Sequence, residues 1–412
     1  MSSTSPPRTI VFLSYWGTDE PLTLASVVPT VRMLLGKGLA DRVVLCTVER
    51  AGRNVPPPLS IPDCVHVQWS STAIGPRPLA RALDLLRLHV RVVRVVREHR
   101  PLLIMARGVV AGGYAHFASK ATGVPYAVDY FEPHADYMAD VGEWRRGGPL
   151  YRGLSWLMRL QRRSALRIVT VARNYRRMLL ADGVAPGRVL VAPCPVDLDR
   201  MRCDPAARAA VRRQAGLGDG VVGIYLGKFG GLYHRERSHA AFARFLELAG
   251  PASRMVVLTP EPVEVVLNGL RQAGADLERV HVAYAPHGDV PAWLSAADVA
   301  FAPYRGTPSS ACISPMKIGE YWAAGLPVLL TRGVGDDSAI IAEDPDAGAL
   351  FDPEGDDLDD ALRAVIARIG PDQRMRTQAL AARHRSMHNT EEVYRAILAA
   401  LPAGQRNQAS SA

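Results

Sequence analysis

Val299-Ala-Phe-Ala302-Pro-Tyr-Arg-Gly-Thr-Pro-Ser309-Ser310-Ala-Cys312-Ile-Ser314-Pro315-Met-Lys317-Ile-Gly-Glu320-Tyr321-Trp322-Ala-Ala-Gly325-Leu-Pro327-Val-Leu-Leu330 decides the architecture of this chain. Two apolar runs of strand length, 299–302 and 327–330, flank a segment that reads as a helix over 315–324. Ser314 suits its N-cap and Pro315 its first helical position. Strand, loop, helix and strand in that order form a unit whose strands run parallel.

The same alternation extends outward from this unit. Upstream, apolar runs at 221–226, 255–258 and 280–283 alternate with helical patterns at 240–248, 263–272 and 290–296. Before a turn-like break at Cys194-Pro-Val-Asp197, further runs lie at 9–14, 43–46, 102–105, 126–129, 167–171 and 189–191. Thr23 is expected to cap a helix reaching Leu35, and 111–122 and 206–214 are also expected to be helical. Thr390, with Glu391 and Glu392 behind it, is expected to open a last helix. The fold class is therefore α/β: two doubly wound, Rossmann-like domains in tandem, facing a central cleft at the carboxyl ends of their strands. Residues 1–7 and about 403–412 are expected to be disordered.

Composition agrees with two packed cores. Of 412 residues, 48% are apolar and 22% charged, which excludes a mainly disordered chain. No signal peptide is visible at the start, and no uninterrupted apolar run of roughly 18 residues suggests a membrane span. Five widely spaced cysteines without a C-x-x-C pair support neither a zinc knuckle nor a disulfide framework. A cytoplasmic chain is expected. Charge is uneven: residues 1–200 hold 27 Lys and Arg against 15 Asp and Glu, and the remainder 22 against 25. A basic half points to an anionic partner.

Lysine is scarce. Lys37, Lys120, Lys228 and Lys317 stand among 49 basic residues, which makes each one informative. Lys317 falls in the first turn of its helix, where the helix dipole disfavours a cation. A bound anion would explain it, because a helix N-terminus is an anion site. Glu320, one turn deeper, suits two neighbouring hydroxyls such as those of a ribose. The alternative is a buried crossover helix with a Lys317–Glu320 pair.

Ser314-Pro-x-Lys317-x-x-Glu320-Tyr-x-Ala-x-Gly325-x-Pro327-Val resembles the donor-site motif of retaining glycosyltransferases of the GT-B fold, specifically the GT4 (group 1) family. Leu226-Gly227-Lys228 is similar to the start of that family's second domain. Residues 285–302 resemble the segment before the motif, 189–197 the interdomain stretch, and Glu20-Pro-Leu-Thr23 an N-terminal loop. The resemblance implies an acceptor-binding domain over 1–198 and a nucleotide-sugar-binding domain over 199–387. It implies that 388–412 hold a helix returning to the first domain, plus a tail. Lys228 and Lys317 would hold the diphosphate, Glu320 the ribose, and the backbone near Tyr284 and Pro286 the base. Two ammonium groups and a helix N-terminus would stabilise the departing diphosphate without a metal. The resemblance also implies transfer to a hydroxyl acceptor with retention, and a nucleotide sugar as co-substrate in place of a bound cofactor.

One departure from the family pattern stands out. The family places a second Glu eight residues before the one matching Glu320, and here that position is Cys312. A thiol cannot replace a carboxylate on the sugar; Ser309 and Ser310 are candidates to compensate.

Asp129, Glu132 and His134 follow a strand end and are candidates for an acceptor base or a stabiliser of positive charge, Glu132 and His134 before Asp129. The alternative is a set of loop polar groups capping a helix. Arg107, after another strand end, suits an acceptor contact or a structural ion pair. Gly17 would let backbone N–H groups approach the diphosphate. Its loop is not G-x-G-x-x-G, so no dinucleotide cofactor is expected. The Asp197/Asp199 and Asp344/Asp346 triplets sit at no convincing site, and no metal is assigned. Lys228 is otherwise an exposed loop residue.

Basic helices over 81–100, with Arg87, Arg91 and Arg94 on one face, and over 149–167 would suit an anionic membrane and a lipid-linked acceptor, with the chain peripheral at the inner membrane face. Their alternative is a solvated outer face. No nucleic-acid module is recognised. A sugar-nucleotide epimerase of the same architecture and a silent nucleotide-sugar-binding protein are the competing readings.

Overall fold

The computed structural model describes residues 7–20, 22–50, 55–71 and 77–402. The expected disorder at the two ends falls almost entirely outside these residues. The first half builds a seven-stranded sheet from β1 (Thr9–Ser14), β2 (Arg42–Glu49), β3 (Cys64–Ser70), β4 (Leu103–Arg107), β5 (Tyr126–Tyr130), β6 (Arg167–Thr170) and β7 (Val189–Val191). The second builds a six-stranded sheet from β8 (Val222–Leu226), β9 (Arg254–Leu258), β10 (Val280–Ala283), β11 (Val299–Ala302), β12 (Val328–Thr331) and β13 (Gly348–Phe351). Strand order is β3-β2-β1-β4-β5-β6-β7 in the first sheet and β10-β9-β8-β11-β12-β13 in the second, with every pair parallel. Helices cover both faces, so the central strands are largely apolar. All of β1, β4, β5 and β8 is buried.

Each sheet reverses its winding once, between β1 and β4 and between β8 and β11. A crevice opens at such a switch point, outside the carboxyl ends of the strands. The two crevices face each other and define where a ligand can sit.

The structure adds two edge strands that the apolar pattern does not reveal. β3 alternates Val65, Val67 and Trp69 with His66 and Gln68 and is only partly buried. β13 opens on Gly348, whose φ is 145° and where a Cβ would lie 2.0 Å from the Val328 carbonyl oxygen.

Two caps differ from expectation. Thr23 does not cap its helix: it is the buried first residue of a π-helical turn, Thr23–Val27, that leads into the α-helix Val28–Gly36. The Ser26 and Thr30 hydroxyls there bond back to the carbonyls of Leu22 and Ser26. The last helix is Met387–Ala399, and Ser386 caps it through the His388 N–H. Thr390 is buried one turn inside. Tyr394 and Ile397 of this helix join the core of the first sheet with Ile10, Phe12 and Val31.

Candidate functional site

A cavity of about 520 Å³ lies between the two sheets at their switch points. Its wall takes Asp19 from the loop after β1, Glu132 from the loop after β5, Lys228 and Tyr233 from the loop after β8, and Tyr304 from the loop after β11. The helix Met316–Ala323 supplies Lys317 and Glu320. A groove of about 800 Å³ between the helices Pro149–Ser164 and Arg173–Ala181 is larger, but it draws on the first half alone. The strand-end cavity is the one that both halves build.

Ser314 does not cap the helix behind it. Pro315 occupies the N-cap position and no side chain caps the first turn. The Ser314 hydroxyl instead accepts the Cys194 N–H at 3.1 Å and a bond from the Arg385 guanidinium, which also pairs with buried Asp337. The chain crossover near 194–196 is thereby tied to the helix start, and the Arg385 carbonyl accepts the Val196 N–H at 2.8 Å. The first-turn amides of Met316 and Lys317 have no acceptor among the described residues. An uncapped helix N-terminus at a cavity wall is suited to an anion.

Lys317 is 9% exposed, and its Nζ has no hydrogen-bond partner among the described residues. It forms no ion pair with Glu320, so the expected alternative of a paired crossover helix is not built. The ammonium lies over three rings, 3.9 Å from the centroid of Tyr233, 4.7 Å from that of Tyr225 and 5.9 Å from that of Tyr304. Burial lowers its pKa to about 7, against a smaller opposing pull from Glu320. Burial likewise raises the Glu320 carboxyl, with Lys317 and Arg200 pulling it down. Gly227 makes room for this arrangement: its φ is 113°, and a Cβ there would lie 3.2 Å from Lys317 Nζ. Lys228 follows with an exposed side chain on the cavity wall, and its carbonyl accepts the Tyr225 hydroxyl at 2.7 Å.

On the opposite wall, Glu132 Oε1 lies 2.7 Å from His134 Nδ1. His134 opens the short helix His134–Asp140, stacks on Tyr137 and meets Trp144 edge-on. The carboxylate and the imidazole thus form one hydrogen-bonded unit at the cavity edge.

Several expected site residues do not reach the cavity. Arg107 and Asp129 form a buried ion pair at the ends of β4 and β5, and the guanidinium stacks 3.6 Å from the Phe131 ring centroid. Of the two expectations for Arg107, the fold builds the ion pair. Ser309 and Ser310 are fully buried, and their hydroxyls bond to Thr307. Cys312 is 5% exposed, packs with the first sheet's core, and burial raises its thiol to about 11. At Gly17 a Cβ would lie 2.0 Å from Glu49 Oε2, and that carboxylate takes the Thr18 N–H. Tyr284 and Pro286 are exposed and outside the cavity wall, though neighbouring His287 is part of it.

Sequence reading missed Tyr233, Tyr304 and Asp19, for which no local pattern signals a site. The Asp triplets have structural uses: Asp197 and Asp344 cap short helical turns, and Asp346 pairs with Arg376.

Comparison with known proteins agrees with this architecture. Residues 28–195 match the family described as Glycosyl transferase 4-like domain, and residues 227–369 match Glycosyl transferases group 1. Over 270 residues the chain is 29% identical to a GDP-mannose-dependent alpha-(1-6)-phosphatidylinositol monomannoside mannosyltransferase of Mycolicibacterium smegmatis, covering 61% of this chain and 68% of that protein. Among solved structures it is similar to sucrose-phosphate synthase from Thermosynechococcus elongatus, with a TM-score of 0.73 and 16% identity over 95% of this chain and 100% of that one. It is also similar to Anabaena HepE in complex with UDP, with a TM-score of 0.68 and 14% identity over 95% and 100%. Both matched families are transferases. The chain belongs to the GT4-like, group 1 glycosyltransferases of the GT-B fold.

Proposed function

We propose that this glycosyltransferase moves a sugar from a nucleotide diphosphate donor to a hydroxyl acceptor, with retention and without a metal. The observation that carries this reading is the uncapped start of the helix Met316–Ala323, with Lys317 and Lys228 beside it at the cavity wall. The donor diphosphate docks there. As the glycosidic bond breaks, the leaving group gains about one negative charge, and two cations and the helix amides stabilise it. Glu320 holds the ribose hydroxyls, and the exposed segment at Tyr284 and Pro286, next to the cavity residue His287, meets the base. The first half binds the acceptor, with the Glu132–His134 unit as its base or as a stabiliser of positive charge on the sugar.

The mannosyltransferase relative favours a GDP-linked mannose as donor and a glycolipid as acceptor; a saccharide acceptor for polysaccharide synthesis is the other form of the same reading. No helix among the described residues is long and apolar enough to cross a membrane. We propose peripheral contact with an anionic bilayer instead, on the cytoplasmic side. It is supported by exposed Leu150 and Trp156 beside exposed Arg152, Arg159 and Arg163, and by exposed Leu86 and Val90 beside Arg87, Arg91 and Arg94.

The test is a thermal-shift screen of UDP, GDP, dTDP and CMP, followed by product analysis with the sugar nucleotide of the base that binds. A ligand at about 100 times its Kd should stabilise the protein by about 2.7 kcal/mol. If no nucleotide shifts the transition at millimolar concentration, the donor reading fails.

A further inference from the structure

Lys317 differs from the other cations around the cavity in what surrounds it. Its ammonium is enclosed by the rings of Tyr225, Tyr233 and Tyr304, and no carboxylate or carbonyl among the described residues accepts a bond from it. Tyr233 and Tyr304 are fixed against each other, with centroids 4.9 Å apart and a backbone bridge between them. The Tyr225 hydroxyl is engaged on the Lys228 carbonyl. Charged and titratable groups face this box from every side. Glu320 lies on the same helix, with Arg200 acting on it, and Tyr321 is packed behind; Lys228 leads the loop after β8; Glu261 and Arg235 act on Tyr225; Asp19, Glu132, Tyr137 and His287 line the cavity. None of them forms an ion pair with Lys317.

Aromatic faces attract a cation but replace only part of its lost hydration. A buried amine answers by giving up its proton, which a guanidinium cannot do. That distinction gives a physical reason for lysine at this position in a chain whose basic residues are almost all arginine.

We propose that Tyr225, Tyr233 and Tyr304 are positioning residues that keep Lys317 dry and without a counter-ion, so that Lys317 takes up one proton when a nucleotide diphosphate sugar enters and releases it when the nucleotide leaves. The amine Nζ forms an N–H bond with a proton from solvent, and the resulting ammonium faces the two phosphate charges. This inference rests on the donor reading of the cavity. The lowering of the Lys317 pKa to about 7 agrees with it.

Isothermal titration of the full chain with UDP-, GDP- and dTDP-linked hexoses, in buffers of different ionisation enthalpy, tests the proposal. The phosphates of these donors are diesters and exchange no proton near neutrality, so uptake reports the protein. With a pKa lowered to about 7, wild type should take up most of a proton at pH 8 and little at pH 6. Affinity should fall about tenfold per pH unit above pH 8. Tyr233→Phe keeps the ring and should keep the uptake. Tyr233→Ala admits water and should reduce uptake at pH 8 to less than half, and whatever binding Lys317→Arg retains should come without uptake. Tight wild-type binding at pH 8 without buffer-dependent heat overturns the proposal while leaving the donor site standing. Uptake in Tyr233→Ala equal to wild type overturns the role of the box. Absence of binding by every donor at both pH values overturns the donor reading, and this inference with it.

Discussion

Asp336 reaches from the second half of the chain to the first and accepts the Arg173 backbone N–H at 2.8 Å. Arg173 opens the helix Arg173–Ala181, which has no side-chain cap of its own half, so a carboxylate from across the cleft does that work. Asn174 adds a side-chain bond to the Gly335 carbonyl at 3.2 Å. In the other direction, Asp140 accepts the Ser309 N–H at 3.0 Å. The two halves therefore exchange carboxylate acceptors across the cleft. Asp336→Ala should cost about 1 kcal/mol, the usual worth of an N-cap, and should loosen the contact between the two halves. Thermal denaturation reads the first effect, and small-angle scattering without nucleotide reads the second as a larger radius of gyration. An unchanged melting temperature and scattering profile would show that these contacts carry no weight.

Lys317→Ala and Glu320→Ala should each weaken donor binding or turnover tenfold or more, since a hydrogen bond to a charged group is worth roughly 1.5–3 kcal/mol. Steady-state kinetics with varied donor measures this. Lys317 also links stability to pH. Its pKa is about 7 in the folded protein, against an ordinary 10.5, so between those values the unfolded chain holds a proton that the folded chain lacks. Stability without donor should therefore gain from this group as pH rises through that window. Lys317→Met should remove that part of the slope, read as the difference between the two melting-temperature profiles.

Glu132→Gln should lower kcat by about a hundredfold or more, the low end of what a positioned acid–base group contributes, while the donor KM stays within a few-fold. His134→Asn should act in the same direction, because the imidazole is held by that carboxylate at 2.7 Å. Loss of donor affinity with kcat intact would move both residues from the chemistry to donor binding.

Restoring the family's carboxylate should not improve this enzyme. Cys312 is packed in the first sheet's core with Asp136 and Asp336 close enough to raise its thiol further. Cys312→Glu should therefore destabilise the fold by at least about 2 kcal/mol, by burying a charge near like charges. Cys312→Ala should be tolerated with smaller loss. Chemical denaturation of both variants decides it, and a stable, more active Cys312→Glu enzyme is the opposite outcome.

Flotation with vesicles should show salt-sensitive recovery on anionic lipid and little on neutral lipid, because exposed Trp156 and Leu150 lie among arginines. Trp156→Ala should reduce recovery at constant fold. Equal recovery on neutral and anionic vesicles would remove the membrane contact.

Alternating apolar runs and helices by themselves determined two parallel, doubly wound sheets. A strand buried on both faces is a near-continuous apolar run, and that is legible residue by residue. The edge strands β3 and β13 escaped because one mixes polar residues into its alternation and the other starts on a glycine needed for close approach. The Lys317–Glu320 segment was legible for a different reason: a cation in the first turn of a helix conflicts with the local dipole. Only the tertiary structure decided what surrounds these groups. It paired Arg107 with Asp129, spent Ser314 on Arg385 and Cys194, sealed Cys312 in a core, and closed three tyrosines from separate segments around Lys317. Local sequence sets which segments become strands and helices. Burial and hydrogen-bond partners depend on strand order and on how two sheets face each other, and those bring together residues far apart in the chain.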